Sequence, residues 1–310
     1  MISGDKLANV DQVATAVVST VGAGAAAGSR ALDIRVWNGI DLRLLPDRGL
    51  DIGAGWFRGT PLAWISPVGE QPRPEAEDLV GHAWRDAWGG GLLTTCGLSN
   101  VGAPSGGHGQ HGTFTARAAT DLRLERSTSE VSATATIVDA PFTLSRRVVT
   151  SVGQGLVRID DRVVNDSEWT AAAPLLYHVN LGAPLWDDDA YLESDAQDVV
   201  PRDEDAAAAL ATWDEPPELA DAAPERVFEH LGASWARLTS PRVGVELTIR
   251  SSLPRLWQWV DPARGTNALG IEPANCSVLG REHDIATGQM PFLDPGELRH
   301  TWLTIAARAL

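Results

Sequence analysis

Cysteine is scarce in this chain: Cys96 and Cys276 are the only two in 310 residues. Two thiols exclude a disulfide framework and a zinc cluster built from thiolates, and they are expected as reduced, buried side chains of a cytoplasmic protein. Positive charge is short as well. With 25 Lys+Arg against 41 Asp+Glu the net charge is −16, which opposes nucleic acid or an anionic membrane as partner, because both attract cations. No apolar run reaches membrane-spanning length, and the first 30 residues, with Asp5 and Asp11 among small side chains, lack a basic segment followed by an apolar core. Neither a spanning helix nor a secretion signal is expected. Internal repeats and long amphipathic helical patterns are missing too. The glycine-rich run Gly89-Gly90-Gly91-Leu92-Leu93-Thr94-Thr95-Cys96-Gly97 has no following lysine and no helix opening. It therefore reads as a strand entry with a tight turn and not as a phosphate cradle.

What the chain does have is short segments of alternating hydrophobicity. Val243, Val245, Leu247 and Ile249 alternate with Gly244, Glu246, Thr248 and Arg250, the period-two pattern of a half-buried strand. Similar segments lie at residues 31–37, 41–45, 61–65, 131–137, 142–150, 156–160, 235–239, 256–260 and 301–307. Glycine and proline, with 30 and 19 copies, punctuate the intervals. Many short strands separated by turn signals imply an all-β fold, a large antiparallel sandwich or barrel, expected as one domain over residues 1–310. Two regions break the pattern. Residues 67–88 read as a loop with a short helix that puts Trp84 and Trp88 on one face. Residues 201–225, rich in Ala, Asp, Glu and Pro, read as a surface excursion with helical turns around Asp205–Trp213, either a lid or a tolerated loop.

Three polar stretches carry the chemistry. In Tyr177-His178-Val179-Asn180-Leu181-Gly182 an apolar strand runs into an imidazole, and His178 and Asn180 share a strand face that Tyr177 does not. In Gly270-Ile271-Glu272-Pro273-Ala274-Asn275 another apolar strand ends on a carboxylate. An imidazole and a carboxyl from separate strands supply one proton donor and one acceptor, and partial burial moves both toward neutral pH. The third stretch, His108-Gly109-Gln110-His111-Gly112, allows close approach of backbone to ligand. His108 and His111 with His178 could form a metal triad, but the flanking glycines and the lack of a carboxylate at helical spacing favour sugar hydroxyl contacts. No metal or cofactor is expected. Trp257 and Trp259, on one strand face near Glu272, are the candidates for stacking on a pyranose. The residues together point to acid–base chemistry on a small polar substrate.

The ordered set Leu44-Leu45-Pro46-Asp47-Arg48-Gly49-Leu50-Asp51-Ile52, Gly91 to Leu98, His111-Gly112, Tyr177-His178-Val179-Asn180, Gly270 to Asn275 and Leu293-Asp294-Pro295-Gly296-Glu297 resembles the aldose 1-epimerase (galactose mutarotase-like) superfamily. It is most similar to an uncharacterised bacterial branch, over nearly the whole chain from about residue 30. The resemblance implies a β-supersandwich and cofactor-free interconversion of sugar anomers. It also implies His178 as the general acid on the ring oxygen, Glu272 as the general base on the anomeric hydroxyl, and His111 and Arg48 as substrate contacts. In the family the acid histidine sits in an Asn-His-x-x-Phe-Asn-Leu setting, shortened here, and a hydroxyl-binding aspartate has no clear counterpart, with Asp187, Asp188 and Asp189 as nearby candidates. Another sugar epimerase or isomerase acting next to a carbonyl, or a non-catalytic sugar-binding protein, stays open. Arg48, Arg255 and Arg281 are the candidates for an anion pocket, and homodimer formation is left open.

Overall fold

The computed structural model describes residues 4–310. They are 47% strand and 9% helix, arranged as three main antiparallel sheets and a small two-stranded pair. The first sheet runs in chain order through Ala14–Thr20, Arg30–Val36, Ile40–Leu45, Asp51–Phe57 and Thr60–Pro61. The second has eight strands in the spatial order Tyr191–Ser194, Trp235–Ser240, Val245–Ser251, Leu298–Ala309, Leu156–Asn165, Phe142–Ser151, Glu130–Asp139 and Ala119–Arg126. The third has six, in the order Asp198–Pro201, Arg226–Leu231, Arg255–Asp261, Ala268–Ala274, Leu175–Leu181 and Thr94–Gly97.

Alternation decides how these sheets stack. Leu32, Ile34 and Leu42 of the first sheet meet Val131, Leu144, Ile159 and Ile305 of the second in one apolar cluster, which also takes Tyr177, Val179 and Ile271 from the third. The eight-stranded sheet thus backs onto the other two. The centre of the six-stranded sheet is buried on both sides, since every residue of Leu175–Leu181 and Ala268–Ala274 is buried. Its second face carries Leu176, Trp257, Trp259 and Ala268 into a separate cluster with Trp64, Trp84 and Trp88. Fully buried strands read as continuous apolar runs with occasional polar residues, the pattern in which His178 and Glu272 stand out.

The structure trims some expected strands. Val243 lies outside Val245–Ser251 because Gly244, at φ +73°, closes a turn onto Ser240. Residues 61–65 are a strand only at Thr60–Pro61. The chain then crosses from the first sheet to the third, bridging Ala63 to Leu181 and Ile65 to Gly90. The region 67–88 contains short 3-10 segments at Ala76–Asp78 and Arg85–Ala87, the second continued from successive turns that begin at Val80. The acidic excursion begins with a short helix, Glu204–Ala208, capped by the Asp203 carboxylate on the Ala206 amide, and a further turn at Leu210–Thr212. Among the described residues no helix is long and apolar enough to cross a membrane.

Candidate active site

His178 and Glu272 are brought together by strand register. Leu175–Leu181 and Ala268–Ala274 are antiparallel neighbours in which Leu176 pairs with Ala274 and Val179 with Ile271. That register sets His178 directly across from Glu272, with both side chains on the same face. His178 Nε2 lies 3.2 Å from Glu272 Oε1, but off the line of a good hydrogen bond, so Oε1 and His178 Nδ1 are both buried without a partner. Room for the pair comes from Gly270, opposite Asn180. A Cβ there would stand 2.7 Å from Glu272 Oε1 and 3.0 Å from His178 Cε1.

The pair forms the floor of a cleft of about 570 Å³, a size suited to a small organic ligand. Its walls are aromatic. Trp88 lies 4.9 Å from the His178 ring and 5.0 Å from Trp64, Trp84 lies 4.8 Å from Trp88, and Trp259 lies 5.5 Å from His178, all between ring centroids. The indole N–H groups are tied down. Trp64 donates to the Thr266 carbonyl at 2.8 Å, Trp88 to Thr94 Oγ1 at 3.0 Å and Trp259 to Glu225 Oε2 at 3.0 Å. The faces offered to the cleft are therefore fixed.

His111 completes the floor, 4.5 Å from Trp84 and 5.9 Å from His178 by ring centroid. Its backbone is left-handed at φ 56°, and Gly112 beside it, at φ +72°, is pressed against Ser99, Asn100 and Gly97, where any Cβ would clash. The Gly102 amide donates to His111 Nδ1 at 3.4 Å, which leaves Nε2 as the protonated nitrogen.

Burial governs the protonation of all three groups. It pushes Glu272 up to about 8, helped by the nearby Glu225 carboxylate and opposed by Arg202. It holds His111 down at about 4, with Glu225 opposing and Arg85 assisting. His178 is held well below its ordinary value by burial and by His111, with the Asn180 carboxamide opposing. At neutral pH the imidazoles are uncharged and the pair's proton resides on Glu272.

Several expected contacts lie elsewhere. Arg48 does not line the cleft. It is 6% exposed and donates to the Pro72 and Ala87 carbonyls and to Thr115 Oγ1, tethering the 67–88 segment from behind. Asn180 also stays out, its Nδ2 spent on the Gly91 carbonyl and on the carbonyl of His178. Of the two tryptophans, Trp259 faces the cleft, whereas Trp257 is buried under it with its N–H on the Cys276 carbonyl. His108 sits outside in a tight turn closed on Ser105, and no group of three or more metal-binding side chains occurs among the described residues. Arg255 binds Glu229 and Arg281 the Ser99 carbonyl, so neither these nor Arg48 reach the cleft as an anion pocket. Asp187 and Asp189 hold Arg242 instead of lining the cleft.

Other residues take those places: Arg85, Gln110, Arg202, Glu225 and Asp261 line the cleft. Gln110 belongs to the His-Gly-Gln-His-Gly stretch, and its Oε1 accepts from His82 Nδ1–H at 3.0 Å. Glu225 and Arg202 bracket the acidic excursion, where nothing local separates them from its other charges.

All these features sit on a galactose mutarotase-like fold, and solved structures match it over most of their length. A Klebsiella pneumoniae subsp. pneumoniae protein provisionally named an aldose 1-epimerase superposes with a TM-score of 0.85 at 18% identity, covering 95% of this chain and 83% of its own. A galactose mutarotase-like protein from Clostridium acetobutylicum gives 0.63 at 12% identity, covering 96% and 100%. A galactose mutarotase related enzyme from Lactobacillus acidophilus gives 0.55 at 15%, covering 94% and 98%. No curated protein matches the sequence. The sequence model of the family described as "Domain of unknown function (DUF4432)" matches residues 26–307, and the chain belongs to that family.

Proposed function

We propose that this protein is a cofactor-free carbohydrate isomerase that interconverts sugar anomers by acid–base catalysis at His178 and Glu272. The observation that carries the reading is the facing of these two groups, 3.2 Å apart, on the floor of a tryptophan-walled cleft. Indole faces suit the C–H faces of a pyranose, and the two titratable groups suit its reacting end.

The proton inventory fits the chemistry. The pair holds one transferable proton, on Glu272 in the open cleft, while the neutral His178 keeps its own on Nδ1. A sugar hydroxyl that donates to the carboxylate favours its charged form, and the proton passes to His178 Nε2, 3.2 Å away, once the carboxyl turns into line with it. His178 then donates to the ring oxygen while Glu272 accepts from the anomeric hydroxyl. The C1–O5 bond breaks as the C1 carbonyl forms, rotation about C1–C2 exposes the other carbonyl face, and reclosure returns both protons. His111, with Nε2–H free, donates to a substrate oxygen. We place the reaction in the cytoplasm, on a small carbohydrate, with residues 1–310 working as one domain.

The test is exchange NMR of anomeric protons across a panel of sugars. Wild type should accelerate exchange of at least one, and Glu272→Gln should lose at least about 100-fold of that acceleration. Full turnover in the variant would remove Glu272 as the base.

A further inference from the structure

The cleft contains a charged cluster that proton transfer does not use. Glu225 enters the wall from the end of the acidic excursion and accepts three hydrogen bonds: from Arg85 at 3.1 Å, from Arg202 at 3.2 Å and from Trp259 Nε1 at 3.0 Å. Arg202 is held on its other side by Asp203 at 2.7 Å. Among the described residues that line the cleft, the guanidiniums are Arg85 and Arg202, so both are already paired. Asp261, another lining carboxylate, accepts from the Ala263 amide at 2.9 Å and joins no ion pair among the described residues.

We propose that Glu225 fixes the charge class of the ligand: by occupying Arg85 and Arg202 it reserves the cleft for sugars that carry no phosphate, sulfonate or carboxylate. This rests on the reading of the cleft as a sugar site and narrows its substrate. An anionic group entering here would shed its hydration, find no free cation, and approach Glu225 and Asp261, a repulsive element that discriminates by cost. Neutral hydroxyls meet the opposite situation. They can donate to the Glu225 oxygens and accept from His111, while the ring lies against Trp88 and Trp259. The overall charge of −16 points the same way.

The experiment is intrinsic tryptophan fluorescence of the full chain, titrated at low ionic strength with galactose, glucose and mannose and with the 6-phosphate and uronic acid of each. Wild type should bind at least one neutral sugar about ten-fold more tightly than its anionic partners. In Glu225→Gln Arg85 loses its carboxylate and Arg202 keeps only Asp203, and the anionic partners should gain about ten-fold. An anionic sugar that binds wild type as tightly as its neutral parent, or a panel in which nothing titrates, overturns the proposal. So does a folded Glu225→Gln protein with unchanged discrimination. If that variant fails to fold, Arg85→Gln decides, because the Arg85 side chain is 55% exposed. Anion binding should weaken further there, and unchanged or stronger binding overturns the proposal. Anomeric exchange measured on the same samples separates the two claims. Exchange of an anionic sugar removes the charge selection and leaves the catalytic reading, whereas discrimination without exchange does the reverse.

Discussion

Gly270 shows how much one missing side chain can matter. It stands opposite Asn180, and the space its Cβ would occupy is taken by Glu272 Oε1 and His178 Cε1 at 2.7 and 3.0 Å. Gly270→Ala should therefore keep the fold, at a cost of about 1–3 kcal/mol. The pair would be displaced, and a misplacement of that order lowers exchange about 100-fold. Circular dichroism beside exchange NMR checks this, and a variant of normal activity would mean that the pair tolerates rearrangement. Glu272 makes a second prediction. Its folded pKa of about 8 lies above the ordinary 4.5, so the folded chain holds a proton that the unfolded chain releases between those values. Its contribution to stability is complete below about 4.5, falls by up to about 1.4 kcal/mol per pH unit as pH rises, and is gone above about 8. His111, depressed from 6.5 to about 4, runs the other way: its contribution is present above 6.5 and lost as pH falls toward 4. Glu272→Gln deletes only the first dependence. The Tm of the variant relative to wild type should rise from pH 5 to pH 8, and a constant difference would contradict the raised carboxyl.

At the scale of elements, the 67–88 segment supplies Trp84 and Trp88 to the cleft although its regular structure is limited to short 3-10 turns. Such a segment needs tethers, and Arg48 provides one through the Pro72 and Ala87 carbonyls at 2.8 Å each. Replacing it by Met removes the hydrogen bonds to both carbonyls and to Thr115 Oγ1, a loss of about 1–3 kcal/mol. Arg48→Met should loosen the Trp wall, raising the sugar concentration needed for half-maximal exchange more than it lowers the maximal rate. The reverse pattern would place Arg48 in the chemistry. Opposite this segment the 201–225 excursion contributes Glu225, and the Arg85–Glu225 ion pair joins the two across the cleft. Sequence reasoning singled out both segments as departures from strand pattern. It had no means to show that they face each other.

Across the whole molecule, the sheets are joined behind the cleft by a buried polar network. Arg146 donates to Asp161 at 2.9 and 2.7 Å, to Asp51 at 2.7 Å and to Thr95 Oγ1 at 2.8 Å, and Tyr177 donates to Asp161 at 2.8 Å. Asp51 comes from the first sheet, Arg146 and Asp161 from the second, and Thr95 and Tyr177 from the third. Arg146→Met strands two buried carboxylates and should destabilise by about 3–5 kcal/mol in urea unfolding. A loss under 1 kcal/mol would show that the carboxylates relax by taking up protons. None of this network could be read as such from the chain, because its members are scattered from residue 51 to residue 177 and each resembles an ordinary polar residue of a strand.

Local periodicity was enough for much of the architecture, because alternation reports which face of a strand is buried without reference to its neighbours. The segments at 142–150 and 301–307 reappear inside Phe142–Ser151 and Leu298–Ala309. Asp51–Phe57 escaped since Gly53 and Gly55 stand where alternation would show side chains. Gly55 in fact packs so closely that a Cβ would lie 2.8 Å from Leu92 Cδ2. His178 and Glu272 stood out because a titratable side chain at the end of an apolar strand has few structural reasons to be there, and His111 stood out through its glycine-flanked loop and the family resemblance. Arg48 was singled out by resemblance, Asn180 and Trp257 by strand face and His108 by its glycine loop, yet the structure turns them onto backbone carbonyls or away from the cleft. What tertiary structure alone decided was register and facing. The pairing of Val179 with Ile271 sets His178 against Glu272, and the meeting of two irregular segments sets Glu225 between Arg85 and Arg202. Both depend on contacts between residues far apart in the chain, whose geometry no local pattern encodes.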